Sequence, residues 1–185
     1  MRKNYGAKHI VYPQPVFIIG SYDEKNIPNA MTAAWGGISE DTELSICVGE
    51  RHKTVSNILA KGAFTVSMGD AAHVVECDYF GLVSGNDDAD KVAKAGWHTT
   101  KSEFVDAPLF DELPMALECE FVSYDDDSGL LIGKVINVCA DEAILTDGVI
   151  DLTKFHPITY DPCGHGYYTL GEKVGNAFSD GKQLK

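Results

Sequence analysis

Two short segments hold the side chains of this sequence that are best suited to chemistry. The first, Asn29 to Trp35 (NAMTAAW), combines an amide, a hydroxyl and small alanines with an aromatic ring. The second, Arg51 to Thr54 (RHKT), places two permanent cations and a hydroxyl where a helix is predicted to begin. The N-terminus of a helix offers free N–H groups and the positive end of its dipole to an anion. Together the segments indicate a site for a flat cofactor that bears a phosphate.

The phosphate end of such a cofactor needs positive charge and hydrogen-bond donors. Arg51 and Lys53 supply the charge, Thr54 adds its hydroxyl and backbone N–H, and Lys91 adds a further cation. Each residue also has a simpler interpretation: a threonine at a helix start usually only caps the helix, and lysine and arginine side chains are usually solvated surface charges. Their occurrence together is what favours a phosphate site.

The other end of the cofactor needs polar contacts at one edge and close packing on its faces. Asn29 and Thr32 have side chains that can reach a hydroxylated chain or a ring heteroatom. Ala30 and Ala33 allow the backbone of a strand to approach a ring, and Trp35 can form a wall of the cavity. Taken alone, an asparagine after a proline is more often a turn residue, and a tryptophan more often belongs to the core.

A mainly β fold must position these segments. Alternating apolar side chains separated by turn residues predict strands over residues 16–21, 29–35, 44–48, 63–68, 115–124 and 130–139. The acidic turn Asp125 to Gly129 marks the clearest hairpin. With about six or seven strands and no βαβ alternation, an antiparallel barrel with a few peripheral helices is favoured. No repeat or shift in composition marks a boundary, so residues 1–185 are expected to form one domain.

Helices are predicted in the middle of the chain. Val55, Ile58 and Leu59 follow helical spacing, with Thr54 as the predicted cap and Gly62 in the left-handed position at the end. Two further helical pieces are predicted over residues 71–80 and 88–95. The small, polar tail after residue 171 is expected to be a surface arm or to lie on a partner subunit.

Composition excludes several classes of partner. The formal net charge of -13 and the absence of a basic stripe argue against nucleic acid. No apolar run reaches the roughly 20 residues of a membrane span, and the first residues do not resemble an export signal, so a cytoplasmic protein is expected. The cysteines are odd in number and lack CxxC spacing, which predicts mostly buried, reduced thiols.

The familiar catalytic and metal motifs are missing. The sequence contains no GxGxxG dinucleotide motif, no phosphate-loop lysine motif and no nucleophile elbow. Cys163 and His165 are two potential metal ligands without a second pair, so a loop is favoured over a metal site and no metal is predicted. No residue is assigned a catalytic role.

Six segments together resemble the flavin reductase-like FMN-binding split-barrel family, most closely its flavoredoxin-like branch. The resemblance extends from Pro15 to Gly171. The segments are Pro28 to Trp35, Ile46 to Thr54, Gly62 to Ser67, Phe80 to Gly85 with Asp90-Lys91, Ile132 to Val135, and Tyr168 to Gly171.

The resemblance implies a Greek-key split β-barrel that forms a homodimer and binds FMN near the subunit interface. It implies that the flavin is lined by Asn29, Met31, Thr32 and Ala33 and bordered by the backbone of Val48, Gly49 and Glu50. It places Arg51, Lys53, Thr54, Ser84 and Lys91 towards the phosphate. Tyr168, in the closing Tyr-Thr-Leu-Gly signature, completes the set of cofactor-binding candidates.

One departure from the family concerns the electron donor. Members that use NAD(P)H resemble one another in a Gly-Asp-His turn before the late Ile-Gly-x-Val strand, whereas here the turn contains Asp126, Asp127 and Ser128 and no histidine. The expected function is a cytoplasmic oxidoreductase that relays electrons through FMN, with NAD(P)H or a redox protein as donor. Two alternatives stay open: an electron carrier without direct NAD(P)H activity, and a flavin-binding module without catalysis.

Overall fold

The computed structural model describes residues 1–185 and consists mainly of short antiparallel strands. The strands are β1 Gln14–Pro15, β2 Phe17–Tyr22, β3 Pro28–Ala33, β4 Gly36–Glu40, β5 Glu43–Cys47, β6 Ala63–Met68, β7 Thr99–Lys101, β8 Pro108–Phe110, β9 Met115–Asp125, β10 Leu130–Ala140, β11 Leu145–Thr146, β12 Val149–Ile150, β13 Ile158–Tyr160 and β14 Tyr167–Thr169. The helices are α1 Lys53–Lys61, α2 Val74–Leu82 and α3 Lys91–Lys94, with 3₁₀ turns at Glu142–Ile144 and Asp180–Leu184.

A curled seven-stranded sheet forms the body of the molecule. Its strand order is β3-β2-β6-β9-β10-β5-β4, and every pairing is antiparallel. The predicted hairpin of the Asn29 segment is present as β2–β3, in which Ser21 pairs with Asn29 and Ile18 with Thr32. The late hairpin is present as β9–β10. The predicted mainly β architecture is therefore confirmed.

The largest of three hydrophobic core clusters packs on one face of this sheet. It comprises 13 buried apolar residues, including Ile19, Phe64 and Leu131, and α1 closes it with Val55 and Ile58. Phe64 lies so close to Gly133 of β10 that a Cβ at that position would approach its Cζ to 2.2 Å. A glycine is required there because the curled sheet brings the ring against the backbone.

A second core fixes α2 and α3 to the outside of the sheet. Phe80 of α2 packs on Trp97 with ring centroids 4.8 Å apart, and Ala30 and Ile18 of the hairpin are fully buried in the same cluster. Because α2 is anchored in this way, the loop that follows it has a fixed place beside β3.

The helix boundaries differ from the predicted ones. Helix α1 is capped by His52 and not by Thr54, which lies inside the first turn with its side chain buried. Gly62 is left-handed as predicted, with φ 69°, but Leu59 is 50% exposed. Helix α2 starts later than predicted because the Asp70 carboxylate accepts the N–H groups of Ala72 and His73 and holds them in a turn.

The five cysteines differ in how far they are buried. Cys77 and Cys119 are buried, but Cys47 and Cys163 are exposed and Cys139 is half-buried, so the prediction that most of the thiols are buried was wrong. All five are free thiols.

The tail over residues 171–185 is exposed along its whole length. The structure contains no helix that is both long and apolar enough to cross a membrane.

Candidate functional site

A cavity lies between the start of α1, strand β3 and the loop that follows α2. It encloses about 180 Å³ and is lined by Asn29, Met31, Thr32, His52, Lys53, Thr54, Phe80, Gly81, Leu82, Val83, Ser84, Gly85 and Lys91. Two lysines and no carboxylate face it. We refer to it as the α1 cavity. This lining is suited to an anionic group.

The floor of the α1 cavity is a buried pair of polar side chains. Asn29 Nδ2 donates a hydrogen bond to Thr54 Oγ1 at 2.9 Å, whereas Asn29 Oδ1 is buried without any partner. Exchanging the amide N and O would still leave one polar atom unpaired. A buried unpaired acceptor costs about 1–3 kcal/mol, so this atom fits a donor supplied by a ligand.

The loop after α2 comes unusually close to this amide. A Cβ at Gly85 would lie 2.2 Å from Asn29 Oδ1 and 3.2 Å from Lys53 Cγ. Only a glycine allows the backbone to approach these side chains so closely. The approach is stabilised from outside the cavity, where Asn86 Nδ2 donates to the carbonyl of Arg51 at 3.0 Å and Asn86 N donates to Ser84 Oγ at 3.1 Å.

The two cations of the α1 cavity are held differently. Lys91 is buried, and its Nζ donates to the carbonyls of Val83, at 2.7 Å, and Phe80, at 3.4 Å. These carbonyls belong to the end of α2, where the helix dipole favours a positive charge. Burial lowers the pKa of Lys91 to about 8. Lys53 is half-buried in the first turn of α1, where no backbone acceptor bonds the N–H groups of Lys53 and Thr54.

Several predicted cofactor residues lie outside the α1 cavity. Ala30 is packed into the second core, and Trp35 is 40% exposed with its ring edge-on to His9 and Tyr160. Ala33 packs against the first core, and Arg51 and Tyr168 are exposed. The structure thus brings Asn29, Met31, Thr32, Lys53, Thr54, Ser84 and Lys91 together. For the others, a role in cofactor binding stays a prediction.

The predicted backbone segment Val48, Gly49 and Glu50 lines a separate, open depression of about 330 Å³ together with the β9–β10 turn. Val48 N donates to the carbonyl of Gly129 at 2.8 Å, and the Tyr124 hydroxyl donates to the carbonyl of Val48 at 2.8 Å. The depression is next to the α1 cavity, since a Cβ at Gly49 would lie 3.7 Å from the His52 ring.

A second cavity adjoins the α1 cavity on its other side. It is open to solvent, has a volume of about 320 Å³ between α2 and the β13–β14 hairpin, and shares Thr32, Gly81 and Leu82 with the first. Its remaining lining residues are Val16, Ala34, Asp78, Tyr160, His165 and Tyr167. Sequence reasoning did not find Asp78, Tyr160 or Tyr167 because their proximity depends on the packing of α2 against a hairpin far along the chain. We refer to this space as the hairpin cavity.

Comparison with known protein families identifies residues 9–160 as a flavin reductase like domain. The chain therefore belongs to the flavin reductase-like family, as its sequence segments predicted.

Solved structures give relatives with the same split-barrel fold. The chain is 36% identical to the flavoredoxin of Desulfovibrio vulgaris (Miyazaki F), covering 98% of this chain and 100% of that one with a TM-score of 0.94. It is 26% identical to the flavoredoxin from Methanosarcina acetivorans over 100% of both chains, with a TM-score of 0.89. Nitrilotriacetate monooxygenase component B from Bacillus cereus is 25% identical, covering 90% of this chain and 88% of that one, with a TM-score of 0.77. No curated protein matches the sequence significantly.

These comparisons confirm the predicted family and the split-barrel fold, and they support a flavin-binding redox function.

Proposed function

We propose that this protein binds FMN with its phosphate in the α1 cavity and relays reducing equivalents through the bound flavin. The observation that favours this function most is the lining of that cavity: two lysines, the free N–H groups of α1 and an unpaired buried Asn29 Oδ1, with no opposing carboxylate. A phosphate next to a hydroxylated chain supplies the acceptors and donors that this lining lacks.

The roles of the residues follow from their positions. Lys53, Lys91 and the N–H groups at the start of α1 bind the phosphate. The Asn29 amide oxygen accepts a hydrogen bond from a hydroxyl of the sugar-alcohol chain. The bound flavin supplies transfer of one or two electrons. At about 180 Å³ the α1 cavity is smaller than the roughly 300–1,000 Å³ of complete ligand sites, so the flavin ring extends beyond it. The family resemblance favours a flavin ring that lies in the adjoining depression at Val48, Gly49 and Glu50.

The donor that we favour is a redox protein. The turn beside the depression contributes Asp126 and Asp127, which repel a second phosphate, and it has no histidine to meet a nicotinamide. NAD(P)H as direct donor is the competing candidate, and a flavin-binding module without catalysis is the third.

We further propose that residues 1–185 act as one domain in a cytoplasmic homodimer. Exposed apolar side chains on the strands of the sheet, among them Ile38, Val122, Ile136 and Val138, are the feature that supports association with a second copy.

An anaerobic titration distinguishes the candidates. The purified protein is loaded with FMN, its visible absorption is recorded, and NADH, NADPH and dithionite are added separately. A flavin absorption band that is unchanged by both nucleotides and is bleached by dithionite is expected for a carrier that receives its electrons from another protein. Rapid bleaching by either nucleotide would instead establish a nicotinamide-dependent reductase. Failure to retain FMN would refute the proposed cofactor.

A further inference from the structure

The hairpin cavity is lined by two hydrogen-bonded polar pairs that belong to different elements. On the hairpin side, the Tyr160 hydroxyl and His165 Nδ1 are hydrogen-bonded at 2.7 Å. On the helix side, Asp78 Oδ1 accepts a hydrogen bond from the Tyr167 hydroxyl at 2.8 Å. Neither pair belongs to the α1 cavity, and neither is needed to hold a phosphate.

Each pair keeps one polar atom free for a ligand. His165 is exposed, and its Nε2 atom has no hydrogen-bond partner in the protein; this atom can donate when Tyr160 donates to Nδ1. Asp78 Oδ2 is likewise without a hydrogen bond. Burial and the Asp78 hydrogen bond raise the pKa of Tyr167, so this phenol stays protonated and donates to Asp78. The cavity thus presents a donor on one side and an anionic acceptor on the other.

The hairpin loop holds His165 in a fixed conformation. His165 has φ 58°, in the left-handed region, where histidine is found more often than most non-glycine residues. The conformation is fixed because Asp161 accepts hydrogen bonds from the Tyr12 hydroxyl and from Cys163 N, while the Asp161 carbonyl accepts His165 N at 2.9 Å.

The walls between the polar groups suit a flat ring. The rings of Tyr160 and Tyr167 lie 6.0 Å apart and those of Tyr160 and His165 lie 6.2 Å apart, so three aromatic rings form one side of the cavity. Leu82 and Ala34 contribute apolar surface. Aromatic rings pack favourably on such walls in tilted arrangements.

We propose that the hairpin cavity binds a small, uncharged aromatic molecule that carries a hydroxyl at one end and a carbonyl at the other. The hydroxyl donates to Asp78, and the carbonyl accepts from His165. Anionic ligands are disfavoured because Asp78 lies in the cavity and the protein has a formal net charge of -13. That the ligand lies beside a flavin rests on the proposed function, but its binding to this cavity does not.

Isothermal titration calorimetry with 4-hydroxyacetophenone tests this inference on both FMN-free and FMN-loaded protein. Saturable binding is expected, and acetophenone, which lacks the hydroxyl, should bind at least about tenfold more weakly. The variants Asp78→Asn and His165→Asn should each lower the affinity for 4-hydroxyacetophenone by about tenfold. Asparagine accepts the Tyr167 hydroxyl in the first case and tolerates the left-handed backbone in the second.

Matched controls are Asp111→Asn and His156→Asn, which alter the same residue types away from the cavity and should leave affinity unchanged. Retained thermal unfolding midpoints show that all four variants fold. Equal binding of the two ketones, or equal losses in variants and controls, would overturn the inference. Displacement of the ketone by FMN would overturn the inference about the hairpin cavity but would leave the proposed cofactor standing. Ketone binding by a protein that does not retain FMN would support the inference but refute the proposed cofactor.

Discussion

At the scale of single residues, Lys53 gives the most direct test of the phosphate assignment. Replacing it by glutamine keeps the stem that packs beside Gly85 but removes the charge. We expect FMN affinity to fall roughly 10- to 100-fold, since hydrogen bonds to charged groups contribute about 1.5–3 kcal/mol, while riboflavin, which has no phosphate, should bind as before. Fluorescence titration of both flavins measures the difference.

The matched control is Lys25→Gln, which makes the same charge change at an exposed lysine outside the cavity. It should leave both affinities unchanged. Equal losses for FMN and riboflavin in the Lys53 variant would rule out a contact with the phosphate.

Lys91 makes cofactor binding dependent on pH. Its pKa of about 8 in the cofactor-free protein reflects burial of the charged form, and a phosphate beside it would raise that pKa. FMN binding should therefore take up a proton near pH 8, and affinity should fall as pH rises through this region. Calorimetry in buffers of different ionisation enthalpy measures the uptake, which should disappear in Lys91→Met.

The same shift has a consequence for the stability of the cofactor-free protein. The folded pKa of about 8 lies below the usual value of 10.5, so between these pH values the unfolded chain binds more protons than the folded one. The contribution of Lys91 to the free energy of unfolding should rise with pH across this window. A wild-type protein that shows no such rise relative to Lys91→Met in urea unfolding would contradict the burial of a charged Lys91.

At the scale of elements, the curvature of the sheet depends on Gly133. An alanine there would place its Cβ 2.2 Å from Phe64 Cζ and 2.6 Å from Phe64 Cε1. Overpacking of this kind typically costs about 1–3 kcal/mol, so Gly133→Ala should lower the urea midpoint accordingly. Gly37→Ala in β4 is the control, because no atom lies within 4 Å of its added Cβ; a similar loss in both variants would show that strand glycines, and not the Phe64 contact, set the effect.

Strands could be predicted from the sequence better than the details of helices. Alternating side chains fix which face of a strand is buried, and β6 was predicted with its observed bounds. The cap of α1 was misassigned because the buried Thr54 hydroxyl accepts a hydrogen bond from Asn29, which lies far from it in sequence. The cations of the cavity were predicted by type, but the role of Lys91 at the end of α2 and the whole hairpin cavity depend on tertiary packing that no local pattern reveals.

At the scale of the whole molecule, FMN should stabilise the fold by mass action. A ligand that binds only the native state at 100 times its dissociation constant adds about 2.7 kcal/mol, which corresponds to a rise of roughly 5–10 °C in the unfolding midpoint of a chain of this size. Differential scanning calorimetry with FMN measures it. An unchanged midpoint at saturating FMN would contradict binding to the folded protein.

The hydrogen bond from Asn86 to the carbonyl of Arg51 connects two loops that are 35 residues apart in sequence. The α1 cavity exists only after these loops have met, and contacts between distant segments tend to form late in folding. FMN should therefore slow the unfolding of the protein in denaturant while leaving its refolding rate unchanged, because the ligand has nothing to bind in the transition state. In a cell, the cofactor would then act mainly on the lifetime of the folded protein and little on how quickly a new chain reaches that state.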